Sequence, residues 1–181
     1  MNNKKFAIIS IFTALIIILQ VISTYVNFGG FPITLTLIPI IICGAVYGVY
    51  MGLLMGLVFG IVVSFMVIIG ADPSGAVMFA SHPIITAITC LLKGALAGCL
   101  GAFAYKKISN KKIAIVVDAI VTPIVNTAIL YISLIIFFDS SFTVMIAAFM
   151  SINFIIELLI NILLAPGLTI VINRAKSREI Q

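Results

Sequence analysis

Charged residues are scarce: aspartate, glutamate, lysine and arginine make up 8% of the 181 residues, whereas 64% are hydrophobic. This balance lies far outside the range of water-soluble globular domains and indicates a chain that lies mostly inside a lipid bilayer. The sequence also lacks tryptophan and has a single histidine. No H-E-x-x-H or G-x-S-x-G pattern occurs, so metal and serine catalysis lack their residues. We therefore expect no enzyme, no metal and no cofactor.

Cysteine is also scarce, and Cys43, Cys90 and Cys99 are odd in number. They lie within apolar runs and have no metal-type spacing, which favours small buried side chains over ligands or disulfides. The net charge of +5 gives no reason to expect nucleic acid, because the basic residues cluster at predicted membrane boundaries.

Six transmembrane helices are predicted from the apolar runs, since a helix needs roughly 20 residues to cross a hydrocarbon core about 30 Å thick. The run 33–70 is long enough for two spans and is expected to break at Tyr47-Gly48-Val49-Tyr50. A polar connector, 71–82, precedes the fourth span. The sequence thus predicts an all-α integral membrane protein whose residues 1–181 form a single six-helix domain, with spans at 6–26, two within 33–70, 83–104, 113–137 and a sixth ending at 166–172.

The basic residues predict the orientation of these spans. With six spans, the N-terminus, the connector between spans four and five, and the C-terminus lie on one side. Nine of the ten basic residues fall there, whereas the connectors on the other side carry Asp72 and Asp139. By the positive-inside rule, both termini are expected in the cytoplasm and the protein in the cell membrane. These nine residues are Lys4, Lys5, Lys106, Lys107, Lys111, Lys112, Arg174, Lys176 and Arg178.

Glycine recurs at every fourth position from residue 44 to residue 60, a spacing that suits helix association in lipid. Small residues let helix backbones approach closely where burial of leucine against leucine gives no advantage over lipid. Span four carries a second small-residue face, and Ser10 with Ala14 gives span one a shorter one. Both ordinary internal packing and docking of another membrane protein fit these faces. Their residues are Gly44, Gly48, Gly52, Gly56 and Gly60, and then Gly94, Ala97, Gly98 and Gly101.

Polar side chains inside the spans indicate the functional region, because a buried charge in lipid is costly and normally faces a cavity or a partner. His82, Thr86, Thr89 and Lys93 share one face of span four. Asn153, Glu157 and Asn161 share one face of span six, and Asn126 of span five has a similar depth. These groups are expected to meet near the midplane, either as a ligand pocket or as a buried Lys93–Glu157 ion pair with Asn126 as its partner.

Two further polar residues have alternatives of their own. Asp118 is interpreted as structural, close enough to the membrane interface to reach Lys111 or Lys112. His82 precedes Pro83, so it can cap the fourth span or line the rim of the pocket.

Four segments together resemble one family, the substrate-binding components of energy-coupling-factor (ECF) transporters, which import vitamins. The resemblance covers nearly the whole chain. In the family a proline often follows the glycine between spans two and three, where this chain has Val49. The segments are LIPIIICGAVYGVYMGLLMGLVFG (37–60), CLLKGALAGCLGAFAYKK (90–107), TPIVNT (122–127) and NFIIELLINILLAP (153–166).

The resemblance implies a membrane subunit that captures a vitamin from outside and works with a transmembrane coupling subunit and two cytoplasmic ATPases. Ser10 and Ala14 then correspond to the small residues through which family members dock. The missing G-x-x-x-x-G-K-[ST] loop agrees with an external source of energy.

The substrate is expected to be a small water-soluble vitamin. The substrate-binding residues are expected to be His82, Thr86, Thr89, Lys93, Asn126, Asn153 and Glu157. A buried lysine favours an anionic vitamin, and pantothenate is the first candidate by family likeness. Vitamin B6 or riboflavin stays open if Glu157 neutralises Lys93. A different class also stays open, namely a homo-oligomeric channel or stand-alone carrier.

Overall fold

The computed structural model describes residues 3–28, 31–32 and 35–179. Seven helices account for most of these residues. A two-residue antiparallel ladder, β1 (Asn27–Phe28) with β2 (Phe31–Pro32), follows the first helix. The helices are α1 (Asn3–Tyr25), α2 (Leu37–Tyr47), α3 (Val49–Ile68), α4 (Pro73–Ser81), α5 (Pro83–Lys107), α6 (Lys111–Phe137) and α7 (Ser140–Glu179).

Among the described residues, five helices are long and apolar enough to cross a membrane: α1, α3, α5, α6 and α7. Together with the shorter α2 they correspond to the predicted spans, which confirms an all-α membrane protein. With 11 residues, α2 is only about 16 Å long at about 1.5 Å per residue, so it covers about half of the hydrocarbon core.

The predicted break between spans two and three is confirmed at Gly48. Its φ of 95° lies in the left-handed region, which glycine adopts without a steric penalty. The Gly48 N–H donates to the Gly44 carbonyl at 2.9 Å, and the Gly48 carbonyl accepts from Gly52 N at 3.1 Å. The chain therefore reverses in one residue, and Val49 begins α3 directly after the turn.

The two glycine faces pack on each other inside the molecule. A Cβ on Gly52 would collide with the Gly98 backbone, and one on Gly56 would lie 2.7 Å from the carbonyl carbon of Gly94. Gly60 lies against Cys90 and Leu91 in the same way, with 2.8 Å from its added Cβ to Leu91 Cα. The backbones of α3 and α5 are thus in direct contact, and internal packing is the correct interpretation of both faces.

The remaining helices are arranged around this α3–α5 pair. α5 lies between α3 and α6, α7 packs on α6, and α1 packs on α3. Gly101, at the end of the small-residue face of α5, leaves room for Asp118 and Thr122 of α6 instead of α3. Most exposed large apolar side chains lie on the outer faces of the long helices, as a lipid-embedded bundle requires.

The polar connector 71–82 contains a helix that the sequence analysis missed. Asp72 caps α4: its Oδ1 accepts from Gly75 N at 3.1 Å and from Ser74 Oγ at 2.7 Å, and Pro73 opens the first turn. The sequence analysis predicts only a polar connector here, although an aspartate followed by proline, as in Asp72-Pro73, is a helix-start signal.

Gly56→Ala tests the close contact between α3 and α5. Because the new methyl group would meet the α5 backbone, we expect a destabilisation of about 1–3 kcal/mol, measured as a lower melting temperature in detergent. Gly167→Ala is the control, since a Cβ there meets nothing within 4 Å. Equal melting temperatures of the two variants would contradict the packing described here.

Candidate functional site

A cavity of about 80 Å³ lies among α3, α5, α6 and α7, with Gln20 of α1 and part of α4 completing its wall. A single water needs about 10–15 Å³, so the cavity has room for the polar part of a small solute. Its apolar lining includes Phe59, Val63, Val67, Met78, Leu130, Met150 and Phe154. Its polar lining includes Gln20, Asp72, Ser74, Thr86, Thr89, Lys93, Asn126, Thr127, Asn153 and Glu157.

The structure brings six of the seven predicted site residues to this cavity. They come from α5, α6 and α7, the helices that correspond to predicted spans four, five and six. These six are Thr86, Thr89, Lys93, Asn126, Asn153 and Glu157.

His82 is the exception among the described site residues, since it does not line the cavity. It joins α4 to α5, is exposed, and packs edge-on against Phe138 with 4.9 Å between ring centroids. Its carbonyl accepts from Thr86 N at 3.0 Å and from Thr86 Oγ1 at 2.8 Å. The helical spacing that grouped His82 with Lys93 fails here, because the chain leaves the helix at residue 82.

Lys93 is half-buried on α5, beside the contact of α5 with α3. Its Nζ lies 5.8 Å from the centroid of the Phe59 ring, a cation–π contact that holds the side chain against α3. Among the described residues Lys93 donates no hydrogen bond, so its ammonium group is available to a solute in the cavity.

Glu157 is 5% exposed on α7, and its Oε1 has no hydrogen-bond partner among the described residues. No nitrogen–oxygen distance of 4.0 Å or less joins Lys93 to Glu157, two described residues that line the same cavity. The structure therefore lacks the direct ion pair that the sequence left open. An unpaired buried carboxyl is costly, which makes Glu157 a strong acceptor for a solute donor.

Some of the other polar side chains have a hydrogen-bond partner within the bundle, and others do not. Thr89 Oγ1 and Ser133 Oγ lie 2.7 Å apart and join α5 to α6. Asn161 Nδ2 donates to the Glu157 carbonyl at 2.8 Å, which strengthens that turn of α7. Asn126 Oδ1 is buried without a partner among the described residues. Lys93, Asn126 and Glu157 are therefore the groups best able to bind a solute.

Sequence reasoning missed four polar residues of the lining, Gln20, Asp72, Ser74 and Thr127. Gln20 accepts a 2.9 Å hydrogen bond from Thr36 Oγ1 through its Oε1, which joins α1 to the start of α2. A signal existed, because Gln20 is an amide within an apolar run of span one. That span contains no charged residue that would mark one of its faces as functional.

Asp118 lies outside the cavity lining and does not bond to Lys111 in the described part of the chain. Its Oδ1 accepts from Thr122 Oγ1 at 2.8 Å, deep in the α5–α6 interface. Lys111 instead donates to the Ile108 carbonyl at 2.9 Å. The expected contact with Lys111 or Lys112 was wrong, because Asp118 faces α5 rather than the membrane boundary.

Comparison with known families gives a match over residues 4–172 to the model of the ECF transporter substrate-specific component. The chain belongs to this family. No curated protein and no solved structure matches it. As a substrate-specific component it is a multi-pass plasma-membrane protein that binds a substrate for transport, and it is not an enzyme. Such components bind a small substrate and work with a transmembrane module and ATPases.

The cap on α4 determines how firmly this wall of the substrate-specific component is held. Asp72→Ala removes the acceptor for Gly75 N and Ser74 Oγ, so we expect a loss of about 1 kcal/mol, seen as a lower melting temperature in detergent. Asp72→Asn keeps an oxygen acceptor and should melt like the wild type.

Asn110→Ala is the reference variant, because it shows how much stability is lost when another helix cap is removed. Asn110 caps α6 by accepting from Lys112 N at 3.1 Å, far from α4 in the chain. A similar loss in Asn110→Ala and none in Asp72→Ala would show that α4 does not depend on its cap.

Proposed function

We propose that this substrate-specific component captures a small water-soluble vitamin from outside the cell in the cavity between α5, α6 and α7. Delivery inward then depends on ATP-driven partner subunits. The observation that carries the proposal is the concentration of scarce polar side chains in one buried cavity of an otherwise apolar bundle. Polar groups in lipid normally face a cavity or a partner, and here most of them face the same cavity.

Pantothenate is the first candidate substrate. Lys93 supplies a cation that no described side chain neutralises by direct contact, and a vitamin carboxylate would form a charge-assisted hydrogen bond with it. Asn126 and Asn153 supply amide groups for the rest of the molecule.

A ring vitamin such as a B6 form or riboflavin is the second candidate. Phe59 and Phe154 both line the cavity and can contact the face or edge of an aromatic ring. Phe59 lies on α3 and Phe154 on α7, so the two rings belong to different parts of the cavity wall.

The positions of the charged and polar groups support an outward-facing cavity with both termini in the cytoplasm. The wall includes Asp72 and Ser74 of α4 and Thr86 in the first turn of α5. The basic connector with Lys106, Lys107, Lys111 and Lys112 lies at the opposite end of α5. The positive-inside rule assigns that end to the cytoplasm, and residues 1–181 then act as one substrate-binding domain.

Docking to the transmembrane coupling subunit is assigned to α1. Ser10 and Ala14 are both exposed, and α1 is the long helix with the smallest share of its residues buried against the rest of the molecule. Small side chains there would let a partner helix approach closely. The glycine faces, in contrast, are occupied by the α3–α5 contact, which removes the surface that a homo-oligomeric channel would have used.

Lys93→Ala tests the site directly. We expect the variant to insert normally and to lose roughly 10- to 100-fold in affinity for whichever of pantothenate, pyridoxine or riboflavin binds the wild type, measured by titration calorimetry in detergent. Lys107→Ala is the matched control, because its Nζ also lies over a ring, 5.3 Å from the Phe103 centroid, but outside the cavity lining. Unchanged affinity in Lys93→Ala would remove this lysine from the site.

The docking surface predicts a separate effect. Ser10→Leu and Ala14→Leu should each reduce copurification with the transmembrane coupling subunit, because a large side chain prevents close helix approach, while vitamin binding persists. Ala128→Leu provides the same size increase at an exposed position of α6. If all three variants copurify equally with the coupling subunit, α1 is not the docking helix.

A further inference from the structure

The cavity holds an ammonium group and a carboxyl group that do not bond directly to each other. Lys93 lies on α5 against Phe59, and Glu157 lies on α7 with its Oε1 unbonded among the described residues. Both line the cavity, yet no nitrogen–oxygen distance between them is 4.0 Å or less. The cavity therefore presents the donors of Lys93 and the carboxyl of Glu157 at separate positions on α5 and α7.

This separation has a clear energetic consequence. A buried polar group without a hydrogen-bond partner is unfavourable, and the cost is larger if the group is charged. Lysine and glutamate side chains are long and flexible, so a direct contact would ordinarily remove that cost. The arrangement is favourable when a third group lies between the two side chains and bonds with both.

We propose that the substrate is a two-ended molecule that bridges Lys93 and Glu157, and this inference rests on the proposed function of the cavity. Its anionic or strongly accepting group faces Lys93 on α5. Its hydrogen-bond donors, either hydroxyl or amide groups or a protonated amine, face Glu157 on α7. Asn126, whose Oδ1 lacks a partner among the described residues, contributes an amide to the same end.

A ligand that bonds with both Lys93 and Glu157 must carry both an acceptor group and donor groups. A carboxylate that also carries hydroxyl and amide donors, as pantothenate does, satisfies both ends, and so does a zwitterion. A simple anion would leave the Glu157 carboxyl without a hydrogen-bond donor. A simple cation would leave the Lys93 ammonium group without an acceptor. The two ends also fix the orientation of the molecule, since the cavity offers its cation and its carboxyl on different helices.

The test measures how charge removal at each end changes affinity. Lys93→Gln and Glu157→Gln are compared with the wild type by titration calorimetry, using pantothenate, pyridoxine and riboflavin as probes. We expect each variant to weaken the bound probe by at least about tenfold. Asp139→Asn is the control, because it removes one negative charge at an exposed residue outside the cavity lining.

A ligand with only one kind of end gives the opposite pattern. An anion that does not use Glu157 would bind Glu157→Gln as well as or better than the wild type, and that result overturns the inference while the proposed function stands. Failure of all three probes to bind the wild type would instead overturn both. If Glu157→Gln does not fold, Glu157→Asp replaces it: the charge stays, the reach shortens, and unchanged affinity again contradicts the bridge.

The probe can also be changed at one end. Panthenol has an alcohol where pantothenate has its carboxylate and keeps the same hydroxyl and amide donors. If pantothenate binds, panthenol should bind the wild type at least about tenfold more weakly and should bind Lys93→Gln about as well as pantothenate does. Equal binding of the two probes to the wild type would contradict the anionic end.

Discussion

The backbones of α3 and α5 touch through glycine, and the position of the site follows from that contact. Gly56 lies against Gly94, and the residue before Gly94 in α5 is Lys93, whose ammonium group lies over Phe59 of α3. A side chain larger than hydrogen at either glycine would push the helices apart and separate the lysine from the ring. In lipid, small residues provide the attraction that hydrophobic burial provides in water, so the glycines that would weaken a soluble helix hold this bundle together.

The second constraint is that polar groups inside hydrocarbon need partners. Some find them within the bundle: Thr89 bonds to Ser133, Thr122 to Asp118, and Thr36 to Gln20. Lys93 and Glu157 do not find each other, although they share a cavity. The donors of Lys93 and the carboxyl of Glu157 therefore stay available to a molecule in the cavity, as the proposed bridge requires.

Much of this arrangement could be predicted because lipid makes polar residues informative. The break at Gly48 followed from run length, and the common face of Thr86, Thr89 and Lys93 followed from helical spacing. The same spacing failed at His82, since that residue precedes the helix, which begins at Pro83. α4 was missed because its short polar sequence resembles a loop. Gln20 was missed because span one contains no charged residue that would mark a functional face. The gap between Lys93 and Glu157 was also unpredictable, because sequence spacing fixes helix faces and depths but not the distance between two flexible side chains.

An experimental structure of the purified protein, with whatever solute it retains, tests the central claim most directly. If the substrate bridges Lys93 and Glu157, the density will show a small molecule between α5 and α7, within hydrogen-bond distance of both Lys93 Nζ and the Glu157 carboxyl. A closed cavity in which these two side chains bond directly to each other would contradict it.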